Sequence, residues 1–180
     1  MRLIISLLFL LGGITSARGQ DRDCNVPINK KRIVTNANLE YFVKRLKEDS
    51  YTISRDKHMM PHYIKGTVEC LLDTMANPGE AWNSSCAFLP NRPDSELVLF
   101  ATNTLNDIFL IMYRTGGMWT CEHLMLLKLE NKGFKPGKLK AVEDVWIGHG
   151  LFKGHSITDI VKFIKKNKGS GKGDEEDVYY

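Results

Sequence analysis

The residues best suited to chemistry in this 180-residue chain are five histidines, four cysteines and a dense acidic run near the C-terminus. His58 and His62 have the i, i+4 spacing that sets two imidazoles toward one metal ion on a helix. Met59, Met60 and Pro61 lie between them, and Pro61 interrupts a helix there, so the pair does not predict a metal site. His149 and His155 flank a glycine-bearing turn (HGLFKGH), which makes them a weaker candidate pair. No G-x-S-x-G turn presents a serine nucleophile. No two cysteines stand at C-x-x-C spacing, and no two carboxylates are singled out as an acid–base pair. The chain is therefore expected not to be an enzyme, and to need neither metal nor cofactor.

The N-terminus carries an address. Arg2 precedes the apolar run Leu3–Leu11, followed by Gly12-Gly13 and small residues. This is the pattern of a secretory signal peptide over residues 1–19, cleaved after Gly19 (Ala17 is the alternative). The run is shorter than the roughly 20 residues that cross a bilayer. A secreted, extracellular protein without a membrane span is expected. Secretion changes how Cys24, Cys70, Cys86 and Cys121 read. An even number of cysteines in an oxidising compartment implies two disulfides, with three pairings open. Asn83-Ser84-Ser85 is the single glycosylation sequon, which marks Asn83 as a glycan acceptor on a surface loop.

Composition bounds the rest. At 43% hydrophobic residues, the chain can bury a core as one domain. That excludes a disordered polymer, a collagen-like chain and a scaffold held by disulfides alone. Lys+Arg outnumber Asp+Glu by only 25 to 21 and are evenly spread, so nucleic acid is not an expected partner. The folded domain is placed at 20–168, with a flexible acidic tail at 169–180.

Within the domain, Leu39, Phe42, Val43 and Leu46 form one apolar stripe and predict a helix over 35–48. Tyr51–Ser54 reads as a strand. Tyr63–Met75 reads as a second strand, with Gly66 at a bulge. The runs LVLFAT (97–102), IFLIMY (108–113) and 119–129 are separated by turn-rich loops and predict a three-stranded antiparallel meander. IFLIMY does not alternate, so both its faces must be covered. Another strand is expected around Val145-Trp146-Ile147. A closing helix begins at Ser156, where Ser156 and Asp159 form a capping box. Helix, strand-rich middle and closing helix suggest a mainly β fold, an antiparallel barrel enclosing one small ligand. Tyr63, Glu69, Phe100, Phe109, Tyr113, Trp119, Glu122 and Trp146 are the candidate ligand-binding residues. The tail ends Asp174-Glu175-Glu176-Asp177-Val178-Tyr179-Tyr180. Tyr179 and Tyr180 beside that acidic run suit tyrosine sulfation, which would attract a basic protein partner.

Three segments carry a family resemblance. The Leu39–Leu46 helix precedes Tyr51-Thr52-Ile53-Ser54-Arg55-Asp56; Thr67-Val68-Glu69-Cys70-Leu71 and Trp119-Thr120-Cys121-Glu122-His123-Leu124 follow. Together these resemble the tick salivary lipocalins, the family that includes histamine-binding proteins. The resemblance implies a lipocalin-like β-barrel with N- and C-terminal helices. It also implies Cys24–Cys121 and Cys70–Cys86 disulfides. Its functional implication is a monomer that sequesters a biogenic amine or lipid mediator and so modulates host inflammation or haemostasis. From a different class come a cystatin-like protease inhibitor and a binder of chemokines or clotting factors that acts through its surface and tail. The cystatin hairpin motif Q-x-V-x-G is absent.

Overall fold

A computed structural model describes residues 26–86, 89–131, 138–150, 154 and 156–166. The expected signal peptide at 1–19, Cys24, His155 and the tail with Tyr179 and Tyr180 lie outside the described residues. The elements run α1 (Lys30–Val34), α2 (Leu39–Glu48), β1 (Tyr51–Ser54), a single 3-10 turn (Lys57–Met59), α3 (His62–Leu72), β2 (Met75–Ala76), β3 (Ser95–Asn103), β4 (Ile108–Thr115), β5 (Cys121–Leu129), β6 (Val142–His149) and α4 (Ile157–Lys166).

The expected meander forms. β3, β4 and β5 pair antiparallel in sequence order, and β6 extends them. β1 pairs antiparallel with the second half of β3, and β2 adds a short parallel pair at its start. The result is a mainly antiparallel six-stranded sheet in the order β1-β3-β4-β5-β6. β1 and β6 are its two ends and do not pair with each other, so the sheet is open and the expected barrel does not close.

The physical reason lies in β4. Every residue from Ile108 to Tyr113 is buried. Alternate side chains of this strand enter two separate cores. Phe109, Ile111 and Tyr113 join Ile64, Val68 and Leu72 of α3 and Ile33 of α1. Ile108, Leu110 and Met112 join Leu39, Phe42 and Leu46 of α2 and Ile160, Val161 and Ile164 of α4. Helices thus cover both faces, and neither face is left to line a barrel interior.

Two local expectations are corrected. The segment from Tyr63 is a helix, because Ile64, Val68 and Leu72 recur at i, i+4, i+8 and bury one stripe. Gly66 is no bulge. It makes room for Leu139, whose Cδ1 would stand 3.0 Å from an added Cβ. The first predicted helix starts later, at Leu39 as α2, and a separate short helix, α1, forms ahead of it at Lys30–Val34. Between them Asn38 donates to the Asp144 carboxylate and the Val145 carbonyl of β6, which fixes α2 to the sheet. Ser156 does cap the closing helix: Asp159 N–H donates to Ser156 Oγ at 3.1 Å, and that hydroxyl donates to the Asp159 carboxylate at 2.6 Å.

One polar cluster ties α2 to the β3–β4 hairpin. Arg45 makes a fork to Asp107 at 2.8 and 3.0 Å and also donates to Asp49. Asn103 donates to both carboxylates and accepts from the N–H groups of Asp107 and Ile108. Burial works against charge on Asp107, but Arg45 and Asn103 hold its carboxyl below its ordinary value. Arg45→Ala would leave two partly buried carboxylates without their cation and should cost about 3 kcal/mol in urea denaturation. Arg45→Lys should recover little of it, because an ammonium cannot make the two-pronged contact.

Candidate functional site

The chemistry-bearing side chains collect at the sheet end where β3 and β5 begin and β4 and β6 finish. Strand register explains why. Thr115 stands opposite Cys121, Arg114 opposite Glu122, and Tyr113 opposite His123. His123 in turn stands opposite His149. Successive side chains alternate between the two faces, so these pairs separate into two groups.

On the α3 face, His123 Nδ1 and His149 Nδ1 are 2.7 Å apart, and His123 Nε2 is 2.8 Å from Thr115 Oγ1. If His123 donates from Nδ1, its Nε2 accepts from the Thr115 hydroxyl; the opposite tautomer reverses both bonds. The Tyr113 ring stacks on His123 with centroids 4.9 Å apart. The hydroxyls of Tyr113 and Ser95 are buried here without a partner among the described residues. Hydroxyl, imidazole and imidazole follow the hydrogen-bond order of a nucleophile, a base and an orienting group. The basicity does not fit that role. Burial, helped by His149, pushes the His123 pKa down to about 4, and burial lowers His149 as well. The pair is a neutral structural lock at neutral pH.

On the opposite face, Arg114 donates to Glu122 at 2.9 Å and to Glu96 at 3.3 Å, linking three strands. Glu96 also accepts from the Gly79 N–H, which draws in the preceding loop. That loop is built around Asn83. Its Nδ2 donates to the carbonyls of Leu89 and Arg92 and to Asp94, and its Oδ1 accepts from Leu89 N–H. Asn83 is only 7% exposed. The segment is a loop, as the sequon suggested, but the atom that would carry a glycan is turned inward and engaged.

Beyond these layers the β4–β5 hairpin projects outward. Met118 is 81% exposed and Trp119 78% exposed at its tip, and Leu89 is exposed on the neighbouring loop. Trp119 was expected at the start of a core strand. The strand begins only at Cys121, so its ring projects outward instead.

The candidate ligand-binding residues do not converge. Phe100 and Phe109 stack in the α3-side core, centroids 5.7 Å apart. Trp146 belongs to the α2/α4-side core and donates to Asn36. Tyr63 sits on α3 and donates to Asn106, with Thr102 Oγ1 also 2.9 Å away. Glu69 is exposed on α3, 3.8 Å from Lys65. Glu122 is committed to Arg114. Among them Glu69 lines an open cleft, of about 390 Å³, beside α3 with Lys57, His58, Met60, Asp73 and Met75.

The expected disulfide pairing is also corrected. Cys86 and Cys121 are free, exposed thiols. Cys70 is disulfide-bonded, so its partner is neither of them. Register places Cys121 opposite Thr115 at the strand end. Arg45, Asn103 and the Arg114–Glu122 pair escaped the sequence reading. The last was recoverable, because a hairpin centred near Met118 puts 114 opposite 122. Among the described residues, no helix is long and apolar enough to cross a membrane, and no group of three or more His, Cys, Asp or Glu is placed to hold a metal ion. Comparison with protein-family models, curated proteins and solved structures finds no match.

Two outcomes follow from this geometry. Unfolded histidine titrates near 6.5, whereas His123 titrates at about 4. The unfolded state therefore takes up protons first, and stability should fall as pH drops from about 6.5 to about 4. Thermal melts across that window should show the fall, and His123→Phe should flatten it. Asn83→Ala should destabilise by about 1–3 kcal/mol in urea melts, because it abandons several loop hydrogen bonds. Intact mass of the wild-type protein should show no hexose on that residue.

Proposed function

We propose that the chain is a secreted binding protein that acts on a protein partner through the exposed hairpin end of its sheet. The observation that carries this reading is where the aromatic residues lie. Phe100, Phe109, Tyr113 and Trp146 are packed at no more than 4% exposure into the two cores, while Trp119 and Met118 project at the tip. Exposed tryptophan and methionine beside a polar rim are the side chains that dominate protein interfaces. The ion-paired Arg114 and the His123–His149 lock hold the base of this hairpin, so the tip is presented on a rigid platform. Low ordering cost favours tight binding. The acidic tail, with Tyr179 and Tyr180 as sulfation candidates, favours a basic partner of the chemokine or clotting-protease class. The mechanism is stoichiometric masking without chemistry on the partner.

A second reading is favoured by the cleft beside α3. Its volume of about 390 Å³ suits a small ligand. Met60, Val68 and Met75 offer apolar surface, and Glu69 and Asp73 offer carboxylates to an amine. Sequestration of a biogenic amine or lipid mediator would then use this surface cleft instead of a barrel.

Binding to a panel of basic chemokines and clotting proteases, read by biolayer interferometry, separates the two readings. Met118→Ala/Trp119→Ala should weaken the interaction at least tenfold without changing Tm. Binding to no member of the panel, together with a small molecule co-purifying in native mass spectra and released by Glu69→Ala, would transfer the assignment to the cleft.

A further inference from the structure

We propose that Cys86 and Cys121 form a disulfide that staples the Asn83 loop to the start of β5. They are the only free cysteines among the described residues, and both are exposed. The two chain segments already touch. A Cβ placed on Gly116 would collide with the Asn83 carbonyl and lie 3.0 Å from the Ser84 carbonyl carbon. Gly116 directly follows Thr115, whose ladder partner is Cys121. Cys86 lies two residues beyond Ser84, which keeps its Cα within roughly 7.6 Å of that contact. Ladder partners such as Thr115 and Cys121 have Cα atoms roughly 5 Å apart. A disulfide needs Cα atoms about 4.4–6.8 Å apart. Closing the bond requires Ser85 and Cys86 to swing toward β5, and neither cysteine is buried, so no packing has to open.

The chemistry is thiol–disulfide exchange. The oxidant is the disulfide of a dithiol oxidoreductase, or glutathione disulfide. One cysteine thiolate attacks it, releasing one thiol and forming a mixed disulfide. The second cysteine thiolate displaces the other thiol and closes the Sγ–Sγ bond. Two electrons pass to the oxidant, and the two thiol protons end on its two released sulfurs. The bond encloses the whole β3–β4 hairpin and part of the next, and ties down the base of the tip that carries Met118 and Trp119. It rests on the secretory reading for its oxidising compartment.

The test expresses the full chain with its own leader in a eukaryotic secretory host. Protein from the medium is alkylated without reduction, digested and mapped by mass spectrometry. A Cys86–Cys121 cross-linked peptide, two hydrogens lighter than the sum of its parts, is the expected result. Alkyl groups on both residues, or either one linked to another cysteine or a second copy, would overturn the bond. Retention of the chain inside cells would instead defeat the secretory reading. In that case purified protein is titrated with glutathione disulfide: closure of the bond supports the proposal, and stable glutathionylation of both cysteines refutes it. Cys86→Ser and Cys121→Ser should each lower Tm by the same several degrees, and the double variant should lower it no further. Fully additive effects would count against the bond.

Discussion

A strand without a polar face sets the terms for this molecule. The six residues Ile108–Tyr113 of β4 are all buried, so water must be excluded from both sides of the sheet. Each side needs its own cover, and the chain supplies one on each: α2 with α4, and α3 with α1. Fully burying one such side chain is worth about 1.5–3 kcal/mol, so leaving a face open would cost more than a typical domain can spare. An open, doubly covered sheet follows, and a hollow barrel does not. The same demand is met on one face by α3. Its stripe of Ile64, Val68 and Leu72 packs on the sheet face that Phe109, Ile111 and Tyr113 present.

The two ends of the sheet are closed by polar clusters of different kinds. At one end Arg45 gathers Asp107, Asp49 and Asn103, so a charged fork replaces water where α2 meets the β3–β4 hairpin. At the other end two neutral imidazoles and a hydroxyl satisfy one another on one face, while Arg114 bridges Glu96 and Glu122 on the opposite face. Charge is tolerated in the first and third clusters because opposite charges sit side by side. In the second, no counter-ion is available, so burial suppresses protonation. The second end also carries the exposed hairpin tip, which makes it the better candidate for contact with another molecule.

Much of the fold was legible. The hairpins were visible because turn residues interrupt apolar runs, and the closing helix because Ser156 and Asp159 cap an apolar stripe. α3 was misread because β-prone residues and Gly66 outweighed a helical stripe that packing enforces; tertiary contacts override propensity in such segments. The engagement of Asn83 was hidden for a different reason. A sequon is a three-residue pattern, whereas the acceptors that engage its amide lie at Leu89, Arg92 and Asp94, beyond any local window.

By itself the sequence determined which segments are apolar, where the chain turns, and that β4 needs cover on two faces. These are local properties, carried by side-chain type and periodicity. Only the tertiary structure decided that α3 is one of the covers, that the sheet stays open, and that Trp119 points outward while Phe109 points in. It also decided that Cys70 is bonded to neither Cys86 nor Cys121, so the pairs implied by the resemblance do not form. Those outcomes depend on strand register and on which distant surfaces meet. A one-residue slip in register reverses every side chain's face, so no reading along the chain could have fixed them in advance.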